Sequence, residues 1–139
     1  MEENNLHGKY LHYKGKYYDV LGEARDINTK KEYIIYRQSY GRRNWWIRPK
    51  DMFFDEIILN GKVELRFNKI NNETEIPDLV TRPLRVRHTE TGESYLLYYK
   101  RILNQYCLLQ ESQRGEQMNL EMYFDDFEAK NNRLLASNH

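Results

Sequence analysis

The sequence predicts an all-β protein of two small barrels in tandem, the first well formed and the second divergent, with only short helical turns. Three observations predict it. The 139-residue chain holds 12 Tyr and is poor in Ala, and large rings suit a pleated, half-buried surface better than a helix. Short runs of alternating apolar residues succeed one another between turn signals. Finally, Asn28–Tyr36 matches Glu90–Tyr98 at an offset of 62, and Met52–Asp55 matches Met122–Asp125 at an offset of 70. The two matches fall in the same order on the same kinds of element, as a repeat with an insertion between Tyr98 and Met122 requires.

The elements follow in order. Lys9–Tyr13 is the first strand, ended by the turn Lys14-Gly15. Tyr17–Ala24 is the second, with Gly22 placed to allow a bulge. After a polar turn at Asp26–Lys31, Glu32–Tyr40 alternates as a long strand. Gly41-Arg42-Arg43-Asn44 closes a hairpin and Trp45–Arg48 returns. Pro49 ends that strand, because it has no N–H for the ladder. Lys50–Ile57 contains one helical turn that sets Met52 and Phe53 over a barrel end, and Lys62–Phe67 is a closing strand. Residues 68–78, polar and Asn-rich, form the linker between a first domain at 8–67 and a second at 79–129. Strands then follow at Leu84–Arg87, Tyr95–Ile102, Tyr106–Glu111 and Met118–Phe127, before a polar tail at 130–139.

Composition narrows the function classes. A hydrophobic content of 40% with 31% charged residues suits a folded, water-facing protein. The net charge of +1 supplies no global field toward nucleic acid or membrane. The charge is uneven, however: residues 1–69 are net positive and 70–139 net negative. Cys107, the single cysteine, sits in an apolar run and reads as a buried structural thiol. The polar start Met1–Asn5 has no signal-peptide core, and no run has membrane-spanning length, so the expectation is a cytoplasmic protein without membrane contact. The histidines His7, His12, His88 and His139 lack metal-ligand spacing with one another or with Cys107, so neither a metal nor a cofactor is expected. Glu121, Asp125, Asp126 and Glu128 read as a solvated acidic face.

The candidate binding residues lie in the middle of the first half. Tyr33–Lys50 carries five basic residues, five aromatics and no acid. Cations meet phosphate while ring faces accept stacking, so this mixture suits a flat, anionic ligand. Tyr36, Arg42, Arg43, Trp45, Trp46 and Arg48 are the expected face, with alternation turning one Trp inward and leaving the other exposed beside Arg42 and Arg43. The competing structural reading buries both indoles in the barrel and leaves the arginines to solvate its edge. Arg48 also suits an ion pair with Glu32 or with an acid of the second half.

An ordered set of residues resembles the bacterial domain-of-unknown-function family 1653 across residues 8–67. It comprises Gly8, Tyr10, His12, Tyr13, Lys14 and Gly15, then Val20, Ala24, Thr29, Glu32, Tyr36 and Tyr40-Gly41. Its most specific part is Trp46-Ile47-Arg48-Pro49, followed by Met52-Phe53 and Arg66-Phe67. The resemblance implies a small barrel of SH3-like type and no known reaction, cofactor or ligand. The second half lacks a counterpart of Tyr10-x-His12-Tyr13-Lys14 and has Gln117-Met118-Asn119 in place of Ile47-Arg48-Pro49.

The leading functional expectation is therefore a non-enzymatic binding module for a protein, a peptide or a nucleic acid. One alternative is a structural or oligomerising protein that forms a homodimer through edge strands. Another is a nucleotide-related enzyme or sensor in which His12, beside Tyr10, Tyr13 and Glu32, titrates near neutrality in a closed pocket.

Overall fold

The computed structural model describes residues 5–113 of the chain. The strand expected at Met118–Phe127, the match at Met122–Asp125, the acidic cluster and the 130–139 tail lie outside the described residues. Within them run β1 (Gly8–His12), β2 (Tyr17–Asp26), β3 (Glu32–Gln38), β4 (Trp45–Pro49), the single helical turn α1 (Lys50–Phe53), β5 (Glu56–Leu59), β6 (Lys62–Leu65), β7 (Phe67–Asn71), β8 (Leu84–His88), β9 (Ser94–Lys100) and β10 (Gln105–Gln110). The described residues form an all-β fold with only short helical turns, as the composition predicts.

Ten-residue β2 organises the sheet. Its N-terminal half pairs with β1, its C-terminal half pairs in parallel with β10, and its other edge pairs along its length with β3. Between Val20 and Gly22 the register with β3 slips by one, a bulge at Leu21 directly beside the Gly22 that the sequence marks for one. The order β2-β3-β4-β8-β9-β10 returns to β2 and closes a small six-stranded barrel. β1 and β7 extend the sheet beyond the N-terminal half of β2. Gly8 permits that extension: a Cβ there would lie 2.5 Å from the carbonyl oxygen of Asn71 on β7.

Alternation along β3 serves two cores, because both of its faces are covered. Ile34 and Tyr36 join Tyr10, Val20, Phe53 and Phe67 in a first core, where Phe53 and Phe67 stack at 4.2 Å. The helical turn places Phe53 there, fully buried, inside the first core rather than over an end of the closed barrel. Tyr33 and Ile35 point the other way, into the closed barrel, with Ile47, Val86, Leu97 and Leu108.

The second half does not close a barrel of its own among the described residues. Its strands β8, β9 and β10 complete a ring with β2, β3 and β4, through parallel seams at β4–β8 and β10–β2. The two three-stranded units nevertheless occupy equivalent places. β3 and β9 share the same burial order along seven residues. The turns before them match bond for bond. Asp26 Oδ1 accepts from the amides of Asn28 and Thr29, while His88 Nδ1 accepts from those of Glu90 and Thr91. Within each turn the chain also bonds the strand across the seam, Ile27 N to Leu108 O and Thr89 N to Ile47 O, both at 3.0 Å.

Two elements depart from the expected order. Glu56–Leu59 and Lys62–Leu65 form a separate hairpin, turned by Asn60 (φ 53°) and Gly61 (φ 78°), a pair that tolerates left-handed backbone. The closing strand is thereby displaced to Phe67–Asn71, inside the segment read as the start of the linker, where it pairs with β1.

A sheet shared by two cores ties their stabilities together. Ile34→Ala in the first core and Leu108→Ala in the barrel should each cost about 2–5 kcal/mol. In urea, each should shift one common unfolding transition seen alike by fluorescence and circular dichroism. Two separate midpoints would contradict the shared sheet.

Candidate functional site

The turn that joins β3 to β4 projects Arg42 and Arg43 into solvent. Arg43 N donates to Tyr40 O, and the Arg43 guanidinium pairs with Glu75 at 2.8 Å. The turn thus directs one of its two cations to an acid of the 72–83 segment. Trp45 and Trp46 follow on opposite faces of β4, and both are half-buried, where alternation led us to expect one inward and one exposed. Trp45 borders the barrel core and Trp46 the first core. The Arg37 guanidinium lies over the Trp45 ring at 5.4 Å, and Trp46 Nε1 donates to Gln38 Oε1.

Both tryptophans stand where β4 meets β8. β4 and β8 are paired only at Trp46–Arg87 and Ile47–His88. The equivalent seam between β10 and β2 carries three pairs, Cys107–Arg25, Leu108–Asp26 and Tyr106–Ala24. The third pair would correspond to Trp45–Val86, and at that place the β4–β8 seam is open. A cleft of about 230 Å³ occupies the gap, lined by Asn44, Trp45, Trp46, Arg85, Val86, Arg87 and Ser94. Two tryptophans and two arginines contribute to its lining, and none of the lining residues is acidic. Arg85 pairs with Glu111 at 2.9 Å, whereas Arg87 donates only to the carbonyl of Gly92 in its own hairpin and keeps its charge unpaired among the described residues. At the other parallel seam the equivalent positions hold Tyr106, Cys107, Glu23, Ala24 and Arg25, so the pairing of two indoles with two guanidiniums and no acid belongs to the β4–β8 seam.

Of the six residues expected from sequence, Trp45 and Trp46 line this cleft. Arg42 and Arg43 stand in the adjoining turn. Tyr36 and Arg48 do not reach the cleft. Tyr36 is only 3% exposed, in the first core, and its hydroxyl accepts from Arg48 Nε at 3.3 Å. Arg48 extends along that core, 5.7 Å from the Phe67 ring, and pairs with Glu90 at 3.5 Å. This is an ion pair with an acid of the second half, the structural alternative weighed for Arg48. Tyr36 belongs inside because β3 alternation gives it the same face as Ile34. Sequence reading missed Arg85 and Arg87, which stand at alternate positions of an otherwise short apolar strand.

Residues 8–69 match the family described as Protein of unknown function (DUF1653). The match covers β1 to β7, close to the span that the sequence resemblance outlines. A crystal structure of a DUF1653 protein from Bordetella bronchiseptica is similar at 24% identity and a TM-score of 0.47, covering 55% of this chain and 100% of that one. No curated protein matches. The cleft therefore has one wall, β4, inside the DUF1653 segment and the other, β8, beyond it.

His12 also lies in the DUF1653 segment. Its ring meets Phe67 edge-on at 4.8 Å and Tyr13 at 4.6 Å, and its Nδ1 accepts from the Lys14 amide. Burial, and then the nearby charges of Arg48, Arg66 and Lys14, push its pKa down to about 4. His12 is thus neutral at physiological pH, rather than titrating near neutrality as an acid–base role would require. Among the described residues no group of three or more His, Cys, Asp or Glu converges on one point. No helix among them is long and apolar enough to cross a membrane.

The depressed pKa has a stability consequence with a definite sign. Below an ordinary histidine pKa of 6.5 the unfolded chain takes up a proton that folded His12 refuses down to about 4. Stability from this group is therefore complete above pH 6.5 and declines as pH falls toward 4. His12→Gln should flatten that part of a stability–pH profile. An unchanged slope in the variant, or a His12 NMR titration midpoint near 6.5, would contradict the assignment.

Proposed function

We propose that this protein is a non-enzymatic binding module that takes single-stranded nucleic acid into the cleft between β4 and β8. One observation carries the reading: a ring of strands opens at one seam, and that gap is walled by Trp45, Trp46, Arg85 and Arg87 without a carboxylate. Base rings stack on aromatic faces in a sequence-tolerant way, and guanidiniums take the phosphates beside them. A cleft of about 230 Å³ is smaller than the usual pocket for a free small-molecule ligand. It suits one unit of a polymer that continues along the surface. The protein's small net charge fits local contact rather than long-range steering.

The reading extends to the rest of the ring. β8–β10 is a diverged copy of β2–β4, supported by the matched turns, the matched burial and the 62-residue offset of β3 and β9. In this view the second unit contributes mainly a scaffold, together with the two arginines of β8.

Both tryptophans of the chain line the cleft, so intrinsic fluorescence reports directly on its occupancy. Titration with an oligothymidylate should quench that fluorescence, and affinity should fall as salt rises. Arg87→Ala should lower the slope of log K against log salt by about 0.7, as loss of one phosphate contact does for a single strand. Trp45→Ala should weaken binding by about 1–3 kcal/mol. Unchanged fluorescence at low salt would refute nucleic-acid binding, and a salt-independent quench by peptides would point to the protein-ligand form of the module.

A further inference from the structure

A second cavity lies on the other side of the β3–β4 turn. It measures about 390 Å³ and is lined by Lys9, Gly15, Lys16, Tyr17, Ser39 and Tyr40. Two ammonium groups, two phenol rings and a hydroxyl form its wall, again with no carboxylate lining it. Tyr17 is half exposed, and Lys16 Nζ stands 5.1 Å from the centre of the Tyr40 ring.

Lys9 is held there by a buried anchor. Asp19, with no solvent exposure, accepts from Lys9 Nζ at 3.1 Å, Ser39 Oγ at 2.9 Å and Thr74 Oγ1 at 2.6 Å. A buried carboxylate is costly unless it is paired and hydrogen-bonded, and here three donors on three segments meet it. The result is a fixed ammonium at the cavity wall. Lys9 Nζ carries three N–H groups and spends one on Asp19 and one, at 3.4 Å, on Ser39, which leaves a donor for a ligand.

Strand register links this cavity to the cleft. Lys9 stands opposite Asp19, Asp19 opposite Arg37, and Arg37 opposite Trp45. Directly opposed residues share a face, so these four form one row across β1 to β4. At the usual strand spacing the row spans about 14 Å. Asp19, in the middle of the row, is buried beneath Thr74, and Arg37 packs over the Trp45 ring, so the row sets the spacing of its two ends and is not itself a contact surface. Arg42 and Arg43 stand exposed in the β3–β4 turn, Arg43 paired with Glu75.

We propose that the cavity at Lys9, Lys16, Tyr17 and Tyr40 is a second subsite for the same strand of nucleic acid, so that the ligand is a run of several nucleotides that reaches both ends of the β1–β4 row. This rests on the reading of the cleft as a nucleic-acid site. Each end supplies rings for a base and cations for its phosphate, and the row between them is too long for a single nucleotide to bridge. Linkage of two weak contacts through one chain multiplies affinity when the chain can span both.

The test uses the full chain, tryptophan fluorescence, and oligothymidylates of two and roughly eight nucleotides, the longer matching typical single-strand sites. Wild-type protein should bind the longer oligonucleotide at least ten-fold more tightly than the shorter one. The double variant Lys16→Ala/Tyr17→Ala replaces two exposed side chains far from either indole. It should lose at least ten-fold in affinity for the longer ligand, with a lower salt slope, and keep its affinity for the dinucleotide. Equal binding of both lengths by wild type, or undiminished binding of the longer one by the variant, would overturn the second subsite while leaving the cleft intact. If neither oligonucleotide changes wild-type fluorescence, both proposals are overturned.

Discussion

β3 has no solvent face, and the rest of the molecule follows from that constraint. Ile34 and Tyr36 are committed to one core, Tyr33 and Ile35 to another. Both edges of β3 are also occupied, by β2 and β4. Such a strand carries apolar side chains in succession rather than in alternation, and Tyr33-Ile34-Ile35-Tyr36 does so. Because β2 is longer than its neighbours, its two halves meet different partners on the same edge: β1 for the first core, β10 for the barrel. The bulge at Leu21 reconciles the two registers. Neither core is complete without the strands they share.

Closure of the barrel sets where function can reside. A closed ring removes open edges, so an opening has to be made by withholding a pair. The sister seams show this directly: Tyr106 and Ala24 are joined, and the equivalent Trp45 and Val86 are not. The bulk of an indole and the two alternate arginines of β8 stand at the seam that opens. The buried Asp19 acts in the same region by tying β1, the end of β3 and the segment carrying Thr74 together. The basic-aromatic edge is thus held by a buried polar tie on one side and by paired strands on the other.

Much of the fold is legible in the residues themselves. Alternation and turn chemistry locate most of the strands, Pro49 stops β4, and Gly22 marks the bulge. The Asn60-Gly61 pair between aliphatic runs was a hairpin signal of the strongest local kind, and overlooking it displaced the closing strand. Long-range pairing was not legible, because strands with apolar residues on both faces join a ring or a separate barrel equally well by pattern alone. That is why residues 79–129 read as a barrel of their own, although β8, β9 and β10 complete a ring with β2, β3 and β4. The site follows the same division. Trp45 and Trp46 stood out through local composition, whereas Arg85 and Arg87 became partners only through the β4–β8 seam. Tyr36 and Arg48 shared the composition of the segment but not its exposed edge.

The account stands or falls on what the open seam does. The most direct measurement follows the indole N–H signals of Trp45 and Trp46 by NMR while a short single-stranded oligonucleotide is added, with the methyls of Ile58 and Val63 on the β5–β6 hairpin as an internal reference. The account predicts that both indole signals move in a saturable manner and that the hairpin methyls stay in place. Stationary indoles, or shifts confined to the hairpin, would contradict it.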